Sequence, residues 1–171
     1  WSLGLEWAPR SPGYHGVGQF NMMNAWQLDK VLEAAERSGI NINLVIHNHG
    51  KFSTTHDDEW TINPFNARNG GYLDMPEQYF TDQRAQESFT RLMHYIVARW
   101  GHSTHIFAWQ LWSELNLTGT KSDNPNYKRK EVVDWHRLMC STIKRIDVNR
   151  HPVSSHVSGD YNNENKEIVQ L

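Results

Sequence analysis

A single cysteine, Cys140, in 171 residues removes two architectures at once. An intramolecular disulfide framework and a cysteine-built zinc site both need partners that this chain does not have. Excess positive charge is missing too: 17 Lys and Arg stand against 19 Asp and Glu, a net charge of −2 with the histidines neutral. No broad basic surface follows from that balance, and no nucleic-acid partner is expected. Long apolar runs are also absent. The best, residues 106–112, is interrupted by Gln110 and falls far short of the ~20 residues a membrane helix needs, so no membrane partner is expected. No basic, apolar and small-residue leader opens the chain at Trp1, and the start reads as internal. What is present is aromatic and imidazole side chains: eight Trp and ten His, with 12% aromatics in all, a supply that argues against disorder and for a packed core or a ligand site.

Strand-like and helix-like segments alternate along the sequence. Residues 1–7 are short and apolar, closed by Pro9, Pro12 and Gly13. Apolar residues at helical spacing predict a helix over 26–37, with Asn24 as N-cap and Gly39 just past its end. Residues 40–47 alternate as a strand. A long connection, 48–81, holds Gly50, Pro64, Gly70, Gly71 and Pro76, and a connection of that length is functional or carries short elements of its own. A second helix is predicted over 82–100, capped by Thr81 and Gly101, then a strand over 106–112, a third helix ending near Ile146 and a last strand over 152–157. This order predicts an α/β fold with parallel strands joined by right-handed helical crossovers. An open doubly wound sheet and half of a (β/α)8 TIM barrel both fit. Gly16-Val17-Gly18 lacks the third glycine of a dinucleotide loop, which favours the half-barrel and leaves no cofactor expected. A complete barrel takes ~250 residues, so residues 1–171 are expected to be a fragment of one barrel domain.

Three strands run into polar groups: His47-Asn48-His49, Ser113-Glu114-Leu115-Asn116 and Ser154-Ser155-His156. In a parallel α/β fold these C-terminal ends share the rim where ligands bind. Strand alternation groups Gln110, Trp112 and Glu114 on one face, which sets a carboxyl beside an indole in a low-dielectric setting suited to a general acid. His47 and His49, two residues apart, point the same way on a strand and offer a metal clamp that His156 or Asp160 would complete. Trp26, Trp100 and Trp135 lie on helical stripes and are assigned to packing. Trp60, Phe65 and Tyr72 in the long connection are candidate aromatic walls of a ligand cleft. The sequon Asn116-Leu117-Thr118 lies so close to Glu114 that it is read as coincidental.

Two stretches carry a family resemblance. Tyr95-Ile96-Val97-Ala98-Arg99-Trp100-Gly101 followed by Phe107-Ala108-Trp109-Gln110-Leu111-Trp112-Ser113-Glu114-Leu115-Asn116 resembles the passage into the fourth strand of clan A glycoside hydrolases, above all the family 5 cellulases and mannanases. Leu44-Val45-Ile46-His47-Asn48-His49-Gly50 is similar to their third-strand ending, and Arg145-Ile146-Asp147 through Val153 to their passage into the fifth strand. The resemblance implies the second to fifth strands of a (β/α)8 barrel, with Glu114 as the acid/base. His49, Ser113, Trp112, Trp7 and His156 are the substrate-binding residues expected with it. It implies a β-linked polysaccharide as substrate, no metal or other cofactor, and an extracellular or periplasmic setting. The remainder of the barrel is the expected partner, since the family's nucleophile comes from its seventh strand and nothing here matches it; Asp160 and Glu164 correspond to nothing in the motif. Ser113 stands where the family has Asn. Two other readings remain at this point: a barrel that binds glycans without cutting them, and a metal-dependent hydrolase built on His47 and His49.

Overall fold

A computed structural model describes residues 4–6, 16–120 and 130–158. Three helices and three strands alternate: α1 (Met22–Ser38), β1 (Ile42–Asn48), α2 (Gln83–Trp100), β2 (Ile106–Ser113), α3 (Lys130–Ile146) and β3 (Val153–Ser154). All the strand pairing is parallel, in the order β1-β2-β3, with Leu44 opposite Trp109, His47 opposite Trp112 and Trp109 opposite Val153. Strands laid down in chain order, each preceded by a helix, are the arrangement expected of a partial (β/α)8 barrel. The predicted first strand, 1–7, lies outside the described residues except for Gly4, Leu5 and Glu6, which form a bend and no strand.

Local chemistry sets the helix ends, and two caps differ from the sequence expectation. The α1 cap is Asn21, not Asn24: its side chain accepts from the Met23 and Asn24 amides, and the helix begins four residues before the apolar stripe. Asp82, not Thr81, caps α2 by accepting from Arg84 N and Ala85 N. Gly39 ends α1 as expected, in the left-handed conformation (φ 66°) that a side chain disfavours. Trp100 and Trp135 are buried in the core, but Trp26 is 52% exposed, with the Lys30 ammonium over its ring, so it does not serve packing.

Long-range polar ties join the layers. Arg99 forks onto Asp29 at 3.1 and 2.7 Å, and the Trp100 indole donates to the same carboxylate at 2.8 Å, locking α2 to α1. Asp147, just past α3, accepts from Trp109 of β2 and from both the amide and the ring of His151 at 2.9 Å each. Burial pushes its pKa up, but these donors outweigh burial and hold it below the usual carboxylate range.

The connection from β1 to α2 is ordered by four short 3-10 turns, His49–Phe52, Trp60–Ile62, Ala67–Asn69 and Pro76–Phe80. Trp60 and Phe65 belong to the core, at 6% and 3% exposure, and the buried amides of Asn63 and Asn66 bond to backbone groups of the same segment. Neither ring can wall a sugar cleft. Tyr72 is half-buried, its hydroxyl 3.0 Å from Ser88 and its ring under the Arg84 guanidinium.

Candidate active site

The C-terminal ends of β1 and β2 deliver His49 and Glu114 to one place. His49 begins the turn after β1 and is 6% exposed; Glu114 follows β2 directly and its side chain is 36% exposed. His49 Nδ1 lies 3.0 Å from Glu114 Oε2 and its Nε2 lies 3.1 Å from Asp57 Oδ2. The first contact is off the axis of an aligned hydrogen bond; the second is aligned. A buried imidazole is thus flanked by two carboxyl groups.

The backbone explains why Glu114 faces His49 instead of continuing the strand. His156 donates its amide to Trp112 O at 2.9 Å and accepts from Leu115 N at 3.0 Å. In a regular parallel ladder one residue bonds to partners two apart, and here they are three apart. One extra residue is inserted at Ser113-Glu114, a bulge, with Glu114 in the left-handed region at φ 56°. That conformation costs a non-glycine residue about 1–3 kcal/mol and re-aims its side chain. The expected alternation of Gln110, Trp112 and Glu114 therefore stops at Ser113, and the carboxyl meets an imidazole where an indole was expected.

Ties on both sides hold the bulge. Asn116 accepts from Ser158 N at 2.8 Å, Thr118 accepts from the Trp112 indole at 2.9 Å, Gly119 N donates to Phe52 O at 2.8 Å, and Thr120 N donates to Glu77 at 2.8 Å. The Asn116 amide and the buried Thr118 hydroxyl are both used within the fold.

The other expected site residues divide. Ser113 and His156 lie on the rim, half-buried, with Ser113 opposite Asn48 across the ladder. Trp7 lies outside the described residues, as do Asp160 and Glu164. Trp112 is a correction. It has no exposed surface, its N–H is committed to Thr118, and its ring packs against His47, Phe52, Tyr79, Phe80 and Trp135, so it offers no face to a sugar.

His47 and His49 do not converge on a metal. The strand ends between them, and His47 Nε2 is 2.8 Å from the Tyr79 hydroxyl inside the aromatic cluster. Burial, with the positive Lys51 nearby, holds the His47 pKa well below the usual imidazole value. Among the described residues no three His, Cys, Asp or Glu are grouped to hold a metal. Two more buried ionisable groups lie close by. Burial raises Glu6 to about 7, although Gly18 N donates to it at 2.6 Å, and burial lowers Lys51 to about 8.

Asp57 is the site residue that the sequence reading missed. Its signal was the acidic run Asp57-Asp58-Glu59, close after a histidine at a strand end.

No protein-family model matches the chain. It is 28% identical over 122 residues to mannan endo-1,4-beta-mannosidase A of Hypocrea jecorina, covering 71% of this chain and 24% of that protein. It is 29% identical to mannan endo-1,4-beta-mannosidase F of Aspergillus clavatus, covering 78% and 27%, and 29% identical to mannan endo-1,4-beta-mannosidase A of Podospora anserina, covering 71% and 28%. A solved Bacteroides vulgatus chain, described as a glycoside hydrolase, superposes with a TM-score of 0.51 at 18% identity, over 85% of this chain and 23% of that one. The chain spans about a quarter of the length of each. In sequence it is similar to fungal mannan endo-1,4-beta-mannosidases of the kind the fourth-strand motif suggests, and in fold it is similar to part of a glycoside hydrolase.

Proposed function

We propose that the chain is part of a retaining β-glycoside hydrolase that cleaves β-linked mannan or a closely related polysaccharide, with Glu114 as its proton donor and acceptor. The observation that carries this reading is the bulge at the end of β2, which holds Glu114 on the rim against His49. The mannanase relatives supply the substrate class. The remainder of a (β/α)8 barrel would bring a carboxylate nucleophile to roughly 5–5.5 Å from Glu114. In the first step the nucleophile attacks the anomeric carbon while Glu114 gives its proton to the departing glycosidic oxygen. In the second, Glu114 takes a proton from water, whose oxygen displaces the nucleophile and frees the sugar. Ser113 and His156 border the same rim and are the proposed sugar contacts beside His49. Asn48, opposite Ser113, offers an amide where the serine is short. A polymeric substrate places the enzyme outside the cytoplasm.

In the complete enzyme, Glu114→Gln is expected to abolish hydrolysis of unactivated β-mannosides while the fold persists; undiminished turnover overturns the assignment. Ser113 favours one second reading, a barrel that holds glycans without cutting them. Mannan hydrolysis by the wild-type protein contradicts that reading.

A further inference from the structure

We propose that a pocket where the β1–α2 connection meets the loop after Glu114 holds a sugar unit of the polysaccharide, away from the bond that is cut. The inference deepens the reading of the protein as a glycoside hydrolase and rests on it. The pocket has a volume of about 400 Å³, within the range of ligand sites. Thr54, Asp58, Arg68, Asp74 and Met75 line it from the connection, and Thr120 lines it from the other loop. Both walls start at the candidate active site. Asp58 follows Asp57, whose carboxyl lies 3.1 Å from His49 Nε2. Thr120 belongs to the loop that begins at Glu114, and Thr54 N donates to Gly119 O at 3.1 Å, which joins the two walls. A polysaccharide lying across Glu114 and His49 has this pocket beside its path.

The walls are fixed through their backbone. Asn66 Oδ1 accepts from Arg68 N at 3.0 Å, Ala67 N donates to Leu73 O at 2.9 Å, and Gln78 Oε1 accepts from Asp74 N at 2.7 Å, which sets Arg68 and Asp74 on one side. Asp58 Oδ1 accepts from Trp60 N at 3.0 Å, and Thr120 donates its amide and its hydroxyl to Glu77 Oε1 at 2.8 and 2.7 Å. These bonds leave side-chain ends over. The Arg68 guanidinium and the Asp74 carboxyl line one pocket, yet neither has a hydrogen bond or ion pair with any described residue.

Donors and acceptors that share a pocket without pairing suit a ligand that supplies both. A sugar hydroxyl donates to a carboxyl and accepts from a guanidinium, and neighbouring ring hydroxyls repeat that capacity at short intervals. Met75, half exposed, adds an apolar surface for the C–H face of the ring. Ions fit less well. An anion would meet Asp58 and Asp74, and among the described residues no three His, Cys, Asp or Glu are grouped to hold a cation. A polymer supplies a sugar unit from its main chain or from a branch, and the same chemistry recognises either.

Arg68→Ala and Asp74→Ala in the complete enzyme test the pocket. Both side chains are exposed, so Tm should move little. Three substrates are compared: a 4-nitrophenyl β-mannoside too short to reach the pocket, linear β-1,4-mannohexaose, and galactose-branched mannan. Each substitution is expected to lower kcat/KM for a longer substrate relative to the aryl glycoside by about tenfold, mostly through KM, as when one hydrogen bond to an ionic side chain is lost. A loss on the hexasaccharide assigns the pocket to the main chain, and a loss confined to branched mannan assigns it to a branch. An unchanged ratio on both longer substrates overturns the proposal, as does an equal loss on the aryl glycoside. Retardation in mannan-containing gels, measured in a Glu114→Gln background, reads the pocket without turnover and should fall with either substitution. Reduced retardation beside a fully active Glu114→Gln removes the acid/base assignment and leaves the pocket standing. Undiminished retardation beside an inactive Glu114→Gln removes the pocket alone.

Discussion

Trp112 and Thr118 are joined by a 2.9 Å hydrogen bond from indole to hydroxyl, and that bond closes the loop carrying Glu114 onto the end of the strand that precedes it. The indole belongs to the support of the site and not to its surface. Trp112→Phe leaves the Thr118 hydroxyl without this donor and leaves a gap in the aromatic cluster, at a cost of about 1–3 kcal/mol. Thermal unfolding is expected to show the loss, with KM for mannan in the complete enzyme unchanged. A raised KM with unaltered Tm would return Trp112 to the substrate-binding surface.

The Asp29–Arg99–Trp100 knot predicts an acid-sensitive joint between α1 and α2. The hydrogen bonds from Arg99 hold the Asp29 pKa below its ordinary value against an opposing push from burial, and Trp100 adds a smaller pull in the same direction as Arg99. Because the folded-state value is depressed, the stabilisation is present above the unfolded carboxyl's pKa and is lost as pH falls through the folded one. Asp29→Asn should cost about 1–2 kcal/mol at neutral pH, discounted for the partial exposure of the pair, and less at pH 3. Denaturant melts at the two pH values check this; an equal loss at both would contradict it.

His136 predicts a second pH effect nearer the rim. Burial lowers its pKa to about 4, against a smaller upward push from its bond to Val132 O, while its Nε2 lies 2.9 Å from the Ser155 hydroxyl beside His156. A folded-state pKa below the unfolded 6.5 means that the unfolded chain binds the extra proton first. Stability should therefore hold above pH 6.5 and decline between there and about 4, by about 3 kcal/mol in total from this group. His136→Gln is expected to flatten that part of the pH–stability curve, and an unchanged slope would contradict the assignment.

Periodicity made the helices and the two longer strands legible, because a stripe of apolar side chains must face a core whichever core it is. Caps were harder to place. Asn21 and Asn24 are equally good capping residues by type, and the choice depends on how far the helix runs before its stripe begins. The aromatic residues of the long connection read as a cleft because nothing local reveals that Asn63 and Asn66 fold that segment onto its own small core. Glu114 was legible as a carboxyl at a strand end, but its partner was not. Alternation pointed to Trp112, and only the extra residue in the ladder with His156 turns the side chain toward His49. Asp57 comes from a loop whose path is set by backbone packing on Gly50, which leaves no period in the sequence.

Glu114→Ala in the complete enzyme, assayed on mannan and on a 2,4-dinitrophenyl β-mannoside with and without azide, is the most direct test of the acid/base assignment. Loss of the proton donor should slow mannan hydrolysis by about 10²–10⁴-fold. The dinitrophenyl substrate should still form the glycosyl-enzyme, and azide, which needs no base, should restore turnover and yield a β-mannosyl azide. Wild-type rates on mannan, or a loss on both substrates that azide leaves untouched, would contradict the assignment.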